Sequence, residues 1–279
     1  MRILVTGANG FLGSFITKKL CDDGFEVVAM DLSNNNIDDR ATYIKASYLD
    51  ERTNWYEILK RPDVCLHAAW RDGFKHNSQL HILELSSHYN FLCNLIDSGI
   101  KQICVMGSMH EIGYHEGVVD ENTPCNPLSL YGIAKNSLRQ ALEVYTKDKK
   151  VIFQWIRGFY IYSNSMLSHS IFSKILIADS EGKAFFPFTS GKNKFDFISI
   201  DEITKQICAV ITQNDENGII NCCSGVPVSL AEEIEDFIKI NRLKIKLDYG
   251  KFPDRAYDSP CIYGDNTKIN KILRKKDNL

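Results

Sequence analysis

Tyr131 and Lys135 stand four residues apart in Leu130-Tyr-Gly-Ile-Ala-Lys135. On a helix that spacing puts both side chains on one face. A lysine so placed can lower a phenol's pKa from its usual value of about 10 by charge proximity, and it can position a ribose. Ser108 closes Val105-Met-Gly-Ser108, at the end of the apolar run 102–106. The end of a parallel strand is where open α/β sheets place their chemistry. The three residues together suit proton transfer to or from an oxygen.

A second set suits phosphate. Residues 2–13 read Arg-Ile-Leu-Val-Thr-Gly-Ala-Asn-Gly-Phe-Leu-Gly. A short apolar run ends at Thr6 and meets Gly7, Gly10 and Gly13 before an amphipathic stretch begins. Gly7 allows a tight turn, Gly10 lets backbone approach a pyrophosphate, and Gly13 lets a helix pack close to the strand. The helix N-terminus offers N–H groups and a positive dipole end to phosphate. A second apolar run, Glu26-Val-Val-Ala-Met30, ends in Asp31. A carboxylate there can hold the ribose hydroxyls of NAD.

The elements that must position these residues alternate along the chain. Strands are expected at 2–6, 26–30, 42–45, 64–67, 102–106 and 151–157, and helices at 11–22, 53–60, 78–97 and 129–147. In the third helix Ile82, Leu85, Tyr89, Leu92 and Ile96 recur three and four apart. Such alternation predicts a mostly parallel sheet with helices on both faces. After Arg157 the pattern loosens. Helix-like stretches recur at 201–213 and 229–239, the last strand-like run is 244–247, and Phe185-Phe-Pro-Phe188 is a conspicuous aromatic segment.

Composition narrows the function classes. The chain has 279 residues, 44% hydrophobic, enough for one large domain or a domain plus a lobe. A net charge of −2 argues against a nucleic-acid-binding protein. No apolar run approaches a membrane span, and strand and turn at the start leave no basic-then-apolar signal segment, so a cytoplasmic protein is expected. The nine cysteines show no Cys-x-x-Cys, so neither a metal site nor a disulfide framework is expected.

With these motifs in order, the chain resembles the extended short-chain dehydrogenase/reductases that act on nucleotide sugars. The resemblance rests on Thr6–Gly13, His67-Ala68-Ala69, Asn90 in a following helix, Ser108, the Tyr131/Lys135 pair and Asp196-Phe-Ile-Ser-Ile-Asp201-Glu202. It implies an α/β fold, a Rossmann-type doubly wound parallel sheet with a smaller C-terminal substrate-binding lobe. Residues 1–157 would bind the dinucleotide, joined by later segments such as 196–222, and 158–279 would mainly form the lobe. It implies catalysis by Ser108, Tyr131 and Lys135. Gly7, Asn9, Gly10, Phe11, Leu12 and Gly13 would contact the cofactor, with Asp31, Leu32, Ala68, Ala69, Asn90, Tyr131 and Lys135. Tyr131 would give a proton to a developing alkoxide or take it back, as hydride moves at a sugar carbon. Ser108 would hydrogen-bond the same oxygen.

Departures from the family pattern narrow the substrate. Dehydratases carry Asp-Glu directly after the catalytic Ser/Thr, whereas this chain has Met109 and His110, so dehydration is not expected. His110 can titrate near neutral pH or serve as a structural histidine, and Glu111 can bond substrate or cap the loop. An asparagine of the sixth strand is replaced by Tyr160, and an arginine before Asp196 by Phe195. Diphosphate contact is therefore expected from Lys192, Lys194 and Arg255. Trp70, Met109, His110, Glu111, Tyr160, Lys194 and Arg255 form the expected substrate set.

Two enzyme readings follow. The first is a reductase (or dehydrogenase) of a nucleotide-linked 4-keto-6-deoxyhexose, serving deoxysugar and surface-polysaccharide synthesis such as lipopolysaccharide O-antigen. The segment 185–188 fits a site for a less hydroxylated sugar. The second is a nucleotide-sugar 4-epimerase with bound NAD. A non-catalytic nucleotide sensor is a third reading, disfavoured because Tyr131 and Lys135 are both kept. A homodimer through helices 78–97 and 129–147 is expected, since Leu80, Leu83 and Phe91 lie off the main apolar stripe. Asp31 predicts that NAD(H) binds better than NADP(H), although NADP(H) is not excluded. Titrating both into cofactor-free protein checks this. Equal or tighter NADPH binding would overturn it and point to Ser33, Asn34 or Arg40 as phosphate contacts.

Overall fold

Apolar runs buried on both faces build the larger of two principal sheets. The computed structural model describes residues 1–164, 170–254 and 258–277. In chain order the strands are β1 (Arg2–Thr6), β2 (Glu26–Asp31), β3 (Thr42–Lys45), β4 (Val64–His67), β5 (Gln102–Ser108), β6 (Gly117–Val119), β7 (Ile152–Gly158), β8 (Tyr160–Tyr162), β9 (Phe185–Pro187), β10 (Lys194–Ser199), β11 (Gly218–Cys222), β12 (Pro227–Ser229), β13 (Lys246–Asp248) and β14 (Cys261–Gly264). The helices are α1 (Phe11–Asp22), α2 (Trp55–Ile58), α3 (Leu80–Leu83), α4 (Leu85–Asp97), α5 (Leu130–Thr146), α6 (Ile171–Ser180), α7 (Ile200–Ile211), α8 (Leu230–Ile240) and α9 (Thr267–Asp277).

The large sheet has the order β11-β7-β5-β4-β1-β2-β3, and its ladders are parallel. The chain builds β1 to β3 outward in one direction, then returns beside β1 with β4 and builds the other way. That reversal opens a crevice at the carboxyl ends of β1 and β4. Ile3 and Val5 face a core with Ile16, Leu20, Ile203 and Ile207 of α1 and α7. Leu4 points the other way, into a core with Phe91, Leu92, Leu138 and Leu142 of α4 and α5. The alternation is the period-2 geometry of a strand.

The smaller sheet runs β12-β10-β14-β6, with β8 paired to β10. Its core is aromatic, built on Phe159, Phe172, Phe188, Phe195, Phe197 and Phe237. Asp196 of β10 is fully buried, and its carboxylate accepts from Ser224 N (2.8 Å), Ser224 Oγ (2.7 Å), Gly225 N (2.9 Å) and Gly264 N (3.1 Å). A buried carboxylate so fully hydrogen-bonded fastens loops together. Within the segment 196–222, β10 belongs to this smaller sheet while β11 joins the large one. The C-terminal α9, which falls in the segment assigned mainly to the lobe, packs Ile269 and Ile272 into the core against α1 and α7.

Two helices differ from expectation. The helix expected over 78–97 is broken at Glu84, which joins α3 to α4 at φ −97° and ψ −1°. Its buried carboxylate turns inward to accept from Tyr48 OH (2.6 Å) and to pair with Arg71. The helix expected over 53–60 is a single turn, α2, because Lys60 and Arg61 take positive φ.

Candidate functional site

The glycine turn is built by contact. Gly7 sits at φ 69°, and a Cβ there would come within 2.7 Å of Ala69 N. A Cβ on Gly13 would lie 2.0 Å from the Gly7 carbonyl oxygen. Only bare α-carbons let α1, the turn and the segment after β4 close up this far. Gly10 is the N-cap of α1 and no side chain caps it, so the first-turn N–H groups of Phe11 and Leu12 remain for a ligand. Asp31 ends β2, and its carboxylate accepts from Asn9 N (2.9 Å) and Leu32 N (2.7 Å). Asn9 Oδ1 in turn accepts from Asn36 N (2.7 Å). Ala68 N and Ala69 N donate to Thr6 O and Thr6 Oγ1, each at 3.2 Å. The cradle fits a dinucleotide pyrophosphate, and Asp31 fits a ribose diol. Arg40, the cation nearest in sequence, is already held by Asp38 (2.8 Å) and Asp22 (2.6 Å).

Ser108 ends β5 and caps the following turn, its Oγ accepting from His110 N at 3.3 Å. Gly132 of α5 packs on that turn so closely that a Cβ would sit 2.3 Å from His110 O. This brings Tyr131 near Ser108, whose hydroxyl favours the ionised phenol and opposes the effect of its burial. Tyr131 N donates to His76 O (2.9 Å), and Ser129 caps the helix through Gly132 N (3.2 Å). Lys135 lies one turn on and is buried, with Nζ 2.6 Å from Met106 O. Burial raises Tyr131 to about 12, against the Ser108 hydrogen bond, and lowers Lys135 to about 7, against the pull of Glu111. The expected lowering of the phenol is therefore not seen in the protein alone. Lys135 spends its ammonium on Met106 O and the Trp70 ring, 3.7 Å from the centroid, and the phenol's desolvation prevails.

Several expected substrate contacts are corrected. Glu111 is fully buried behind Ser108. Its carboxylate accepts from Ser108 N (2.6 Å) and Trp155 Nε1 (2.9 Å) and lies 3.8 Å from Arg157. It is a cap and not a sugar ligand, and burial raises its pKa against these partners. Met109 is buried in the aromatic core of the lobe. Asn90 is exposed on α4, because it stands about 200° around the helix from His88, which faces the site. Phe188 is buried in the lobe core and Phe185 is exposed, so the segment 185–188 does not join the rings around Tyr131. Arg255 lies outside the described residues. His110 remains at the site, with its ring 6.1 Å from Tyr131 and 6.1 Å from Tyr160. Tyr160 leans on Phe195 at 4.6 Å, and Lys194 is exposed at the start of β10.

Around Trp70 and Tyr131 stand imidazoles that, apart from His67, the sequence motifs do not single out. His67 Nδ1 meets Thr6 Oγ1 (2.9 Å), and His67 Nε2 meets His88 Nδ1 (2.8 Å). His88 stacks on Tyr48 (4.0 Å) and Trp70 (4.3 Å). His81 Nδ1 accepts from Trp70 Nε1 (3.0 Å), and His76 lies flat against Tyr131 at 5.5 Å. The signal was there: His81, Glu84 and His88 recur at helical spacing and are all buried, whereas Ile82 of the expected apolar stripe is exposed.

A parallel sheet with this strand order, glycine turn and Ser-Tyr-Lys set defines the extended short-chain dehydrogenase/reductase class. The family model described as "NAD dependent epimerase/dehydratase family" matches residues 3–223, and the chain belongs to that family. dTDP-6-deoxy-L-talose 4-dehydrogenase (NAD(+)) of Aggregatibacter actinomycetemcomitans is 39% identical over 269 residues, covering 95% of this chain and 99% of that enzyme. Among solved structures, UDP-N-acetylglucosamine 4-epimerase from Methanobrevibacter ruminantium M1, in complex with UDP-N-acetylmuramic acid, superposes with a TM-score of 0.84 at 21% identity, covering 97% of this chain and 91% of that one. UDP-glucuronic acid 4-epimerase from Bacillus cereus, in complex with UDP-glucuronic acid and NAD, gives 0.82 at 22% identity over 98% and 93%. These two share the fold.

The buried imidazoles set a pH dependence. Burial, then the nearby Lys135 charge, lowers His67 to about 3, and burial, then the His67 and Lys135 charges, pushes His88 down as well. An unfolded histidine titrates near 6.5, so between these values only the unfolded chain takes up the proton. Stability is thus full above about pH 6.5 and drains as pH falls toward 3, by about 1.4 kcal/mol per pH unit for each imidazole. Urea unfolding from pH 7 to 4.5 measures the slope. His88→Phe, which keeps a ring between Tyr48 and Trp70, should remove one such increment, and an unchanged slope would overturn the assignment.

Proposed function

We propose that this protein is an NAD-dependent oxidoreductase interconverting the 4-keto and 4-hydroxyl forms of a nucleotide-linked 6-deoxyhexose. The packing of Gly132 on His110 O carries this reading, because it sets the Tyr131 phenol against Ser108 beside the glycine cradle. The 39% identity to a dTDP-6-deoxyhexose 4-dehydrogenase supports the substrate class. Gly7, Gly10 and Gly13 with the first turn of α1 would hold the pyrophosphate, and Asp31 and Lys135 the two riboses. Bound NAD supplies the acceptor or donor of the hydride at C4. Tyr131 takes the proton from O4 as the alcohol is oxidised and returns it as the ketone is reduced. Ser108 donates to the same oxygen and stabilises its developing charge. His110, Tyr160 and Lys194 would contact the nucleotide sugar. A cytoplasmic setting suits nine cysteines that are all unpaired, and activated deoxysugars of this kind feed surface polysaccharide.

We also infer a homodimer through α3, α4 and α5. Leu83 is 69% and Val144 78% exposed, and Ile82 and Ile133 are exposed beside them. Phe91, expected on this surface, instead fills the core. A symmetric pair is the commonest way to bury a repeated apolar patch. Light scattering should give twice the chain mass of 31.8 kDa, and a mass of one chain would overturn the pairing.

The catalytic assignment is tested with a 4-keto-6-deoxy nucleotide sugar and NADH. The wild type should consume NADH stoichiometrically. Tyr131→Phe should lose at least about a hundredfold in turnover while still binding NADH, and Ser108→Ala about a hundredfold. Near-normal turnover in Tyr131→Phe would refute the roles. Interconversion of two 4-hydroxy sugars without net NADH use would mark a 4-epimerase instead.

A further inference from the structure

Lys135 has unusual surroundings for a buried ammonium. Among the described residues no carboxylate lies within salt-bridge distance of Nζ. Its close partners are the Met106 carbonyl oxygen at 2.6 Å and the Trp70 indole, whose centroid is 3.7 Å away. A desolvated ammonium against an aromatic face is strongly attracted to the ring's negative π-cloud. The indole is itself held on several sides. His88 stacks on it at 4.3 Å and 12°, and Tyr48 stacks on His88 at 4.0 Å and 20°. The indole N–H donates to His81 Nδ1 (3.0 Å), and His81 Nε2 meets the Lys75 carbonyl at 3.0 Å. With Nδ1 accepting, Nε2 is the ring nitrogen that faces the carbonyl as donor. The Tyr131 ring meets the indole edge-on at 6.1 Å. These engagements leave Trp70 little to offer a sugar, although it was expected among the substrate contacts.

We propose that Trp70 is a positioning residue for Lys135: the indole, braced by the His88 and Tyr48 rings and tied at its edge to His81, holds the buried ammonium in place for the ribose of a bound dinucleotide. Lysine has a long flexible stem. Without a carboxylate partner, two fixed anchors restrict it, one a carbonyl and one a π-face. Loss of the π-face frees the ammonium to leave the position that the cofactor must meet. The effect falls on dinucleotide binding and not on the sugar nucleotide.

The inference rests on the functional reading above, and calorimetric binding separates the two. NADH and a dTDP-linked 6-deoxyhexose are titrated separately into the wild type, Trp70→Leu and Trp70→Phe. Trp70→Leu should weaken NADH about tenfold and leave the sugar nucleotide within about twofold. Trp70→Phe keeps a π-face without the N–H and should recover most of the NADH affinity. Lys135→Met provides the reference, because Trp70→Leu on that background should cost NADH nothing further. Weakened sugar-nucleotide binding with intact NADH binding would make Trp70 a sugar contact and overturn the proposal. An equal loss in Trp70→Phe and Trp70→Leu would also overturn it. Wild-type protein that binds NADH but not the sugar nucleotide would sink the functional reading alone.

Discussion

Three backbones meet where the turn after β1 passes α1 and the segment after β4. The Gly7 carbonyl stands 2.0 Å from where a side-chain carbon at position 13 would begin, and Ala69 N 2.7 Å from one at position 7. This contact sets how near α1 lies to β1. It therefore sets where the uncapped N–H groups of α1 point. It also locks the segment after β4, so Ala68, Ala69 and Trp70 emerge at the crevice between β1 and β4. The second close approach, Gly132 on His110 O, does for α5 what Gly13 does for α1. Two steric constraints thus bring the glycine turn and the Ser108, Tyr131 and Lys135 group to the carboxyl ends of the same central strands.

Among the described residues, electrostatics at those strand ends are settled without a salt bridge to Lys135. The ammonium is buried beside imidazoles held neutral by the same burial. Each imidazole is occupied by a defined partner: Thr6 and His88 for His67, Tyr48 and Trp70 rings for His88, Trp70 Nε1 and Lys75 O for His81. Glu111 sits on the far side of Ser108, satisfied by Ser108 N and Trp155, and its charge reaches Lys135 and Tyr131. The arrangement keeps the phenol protonated in the protein by itself.

Much of the large sheet was legible because its strands are buried on both faces, and such strands read as unbroken apolar runs. β1, β3 and β4 match their expected bounds, and β2, β5 and β7 differ only by a residue or two at their ends. The lobe was not legible in this way. β6, β8, β9 and β12 are three residues each, too short to show a period. α9 carries Lys268, Lys271, Arg274, Lys275 and Lys276 around a narrow stripe of Ile269, Ile272 and Leu273, and its charge hid its packing face. At the site, Ser108, Tyr131 and Lys135 were legible from spacing. The imidazoles were not, because a histidine on a helix reads as polar and His81, Glu84 and His88 occupy the buried side. Asn90 failed for the same reason: the face assigned to it was rotated away by two residues.

Asp196 has a mechanical consequence. The chain passes between the two sheets from β5 to β6, from β6 to α5, from β7 to β8, from β10 to α7, from β11 to β12 and from β14 to α9. One buried carboxylate holds Ser224 and Gly225, just after β11, and Gly264, just before α9. Two bodies laced together at several points, with one carboxylate tying two of the crossings, are coupled more tightly than two bodies joined by a single linker.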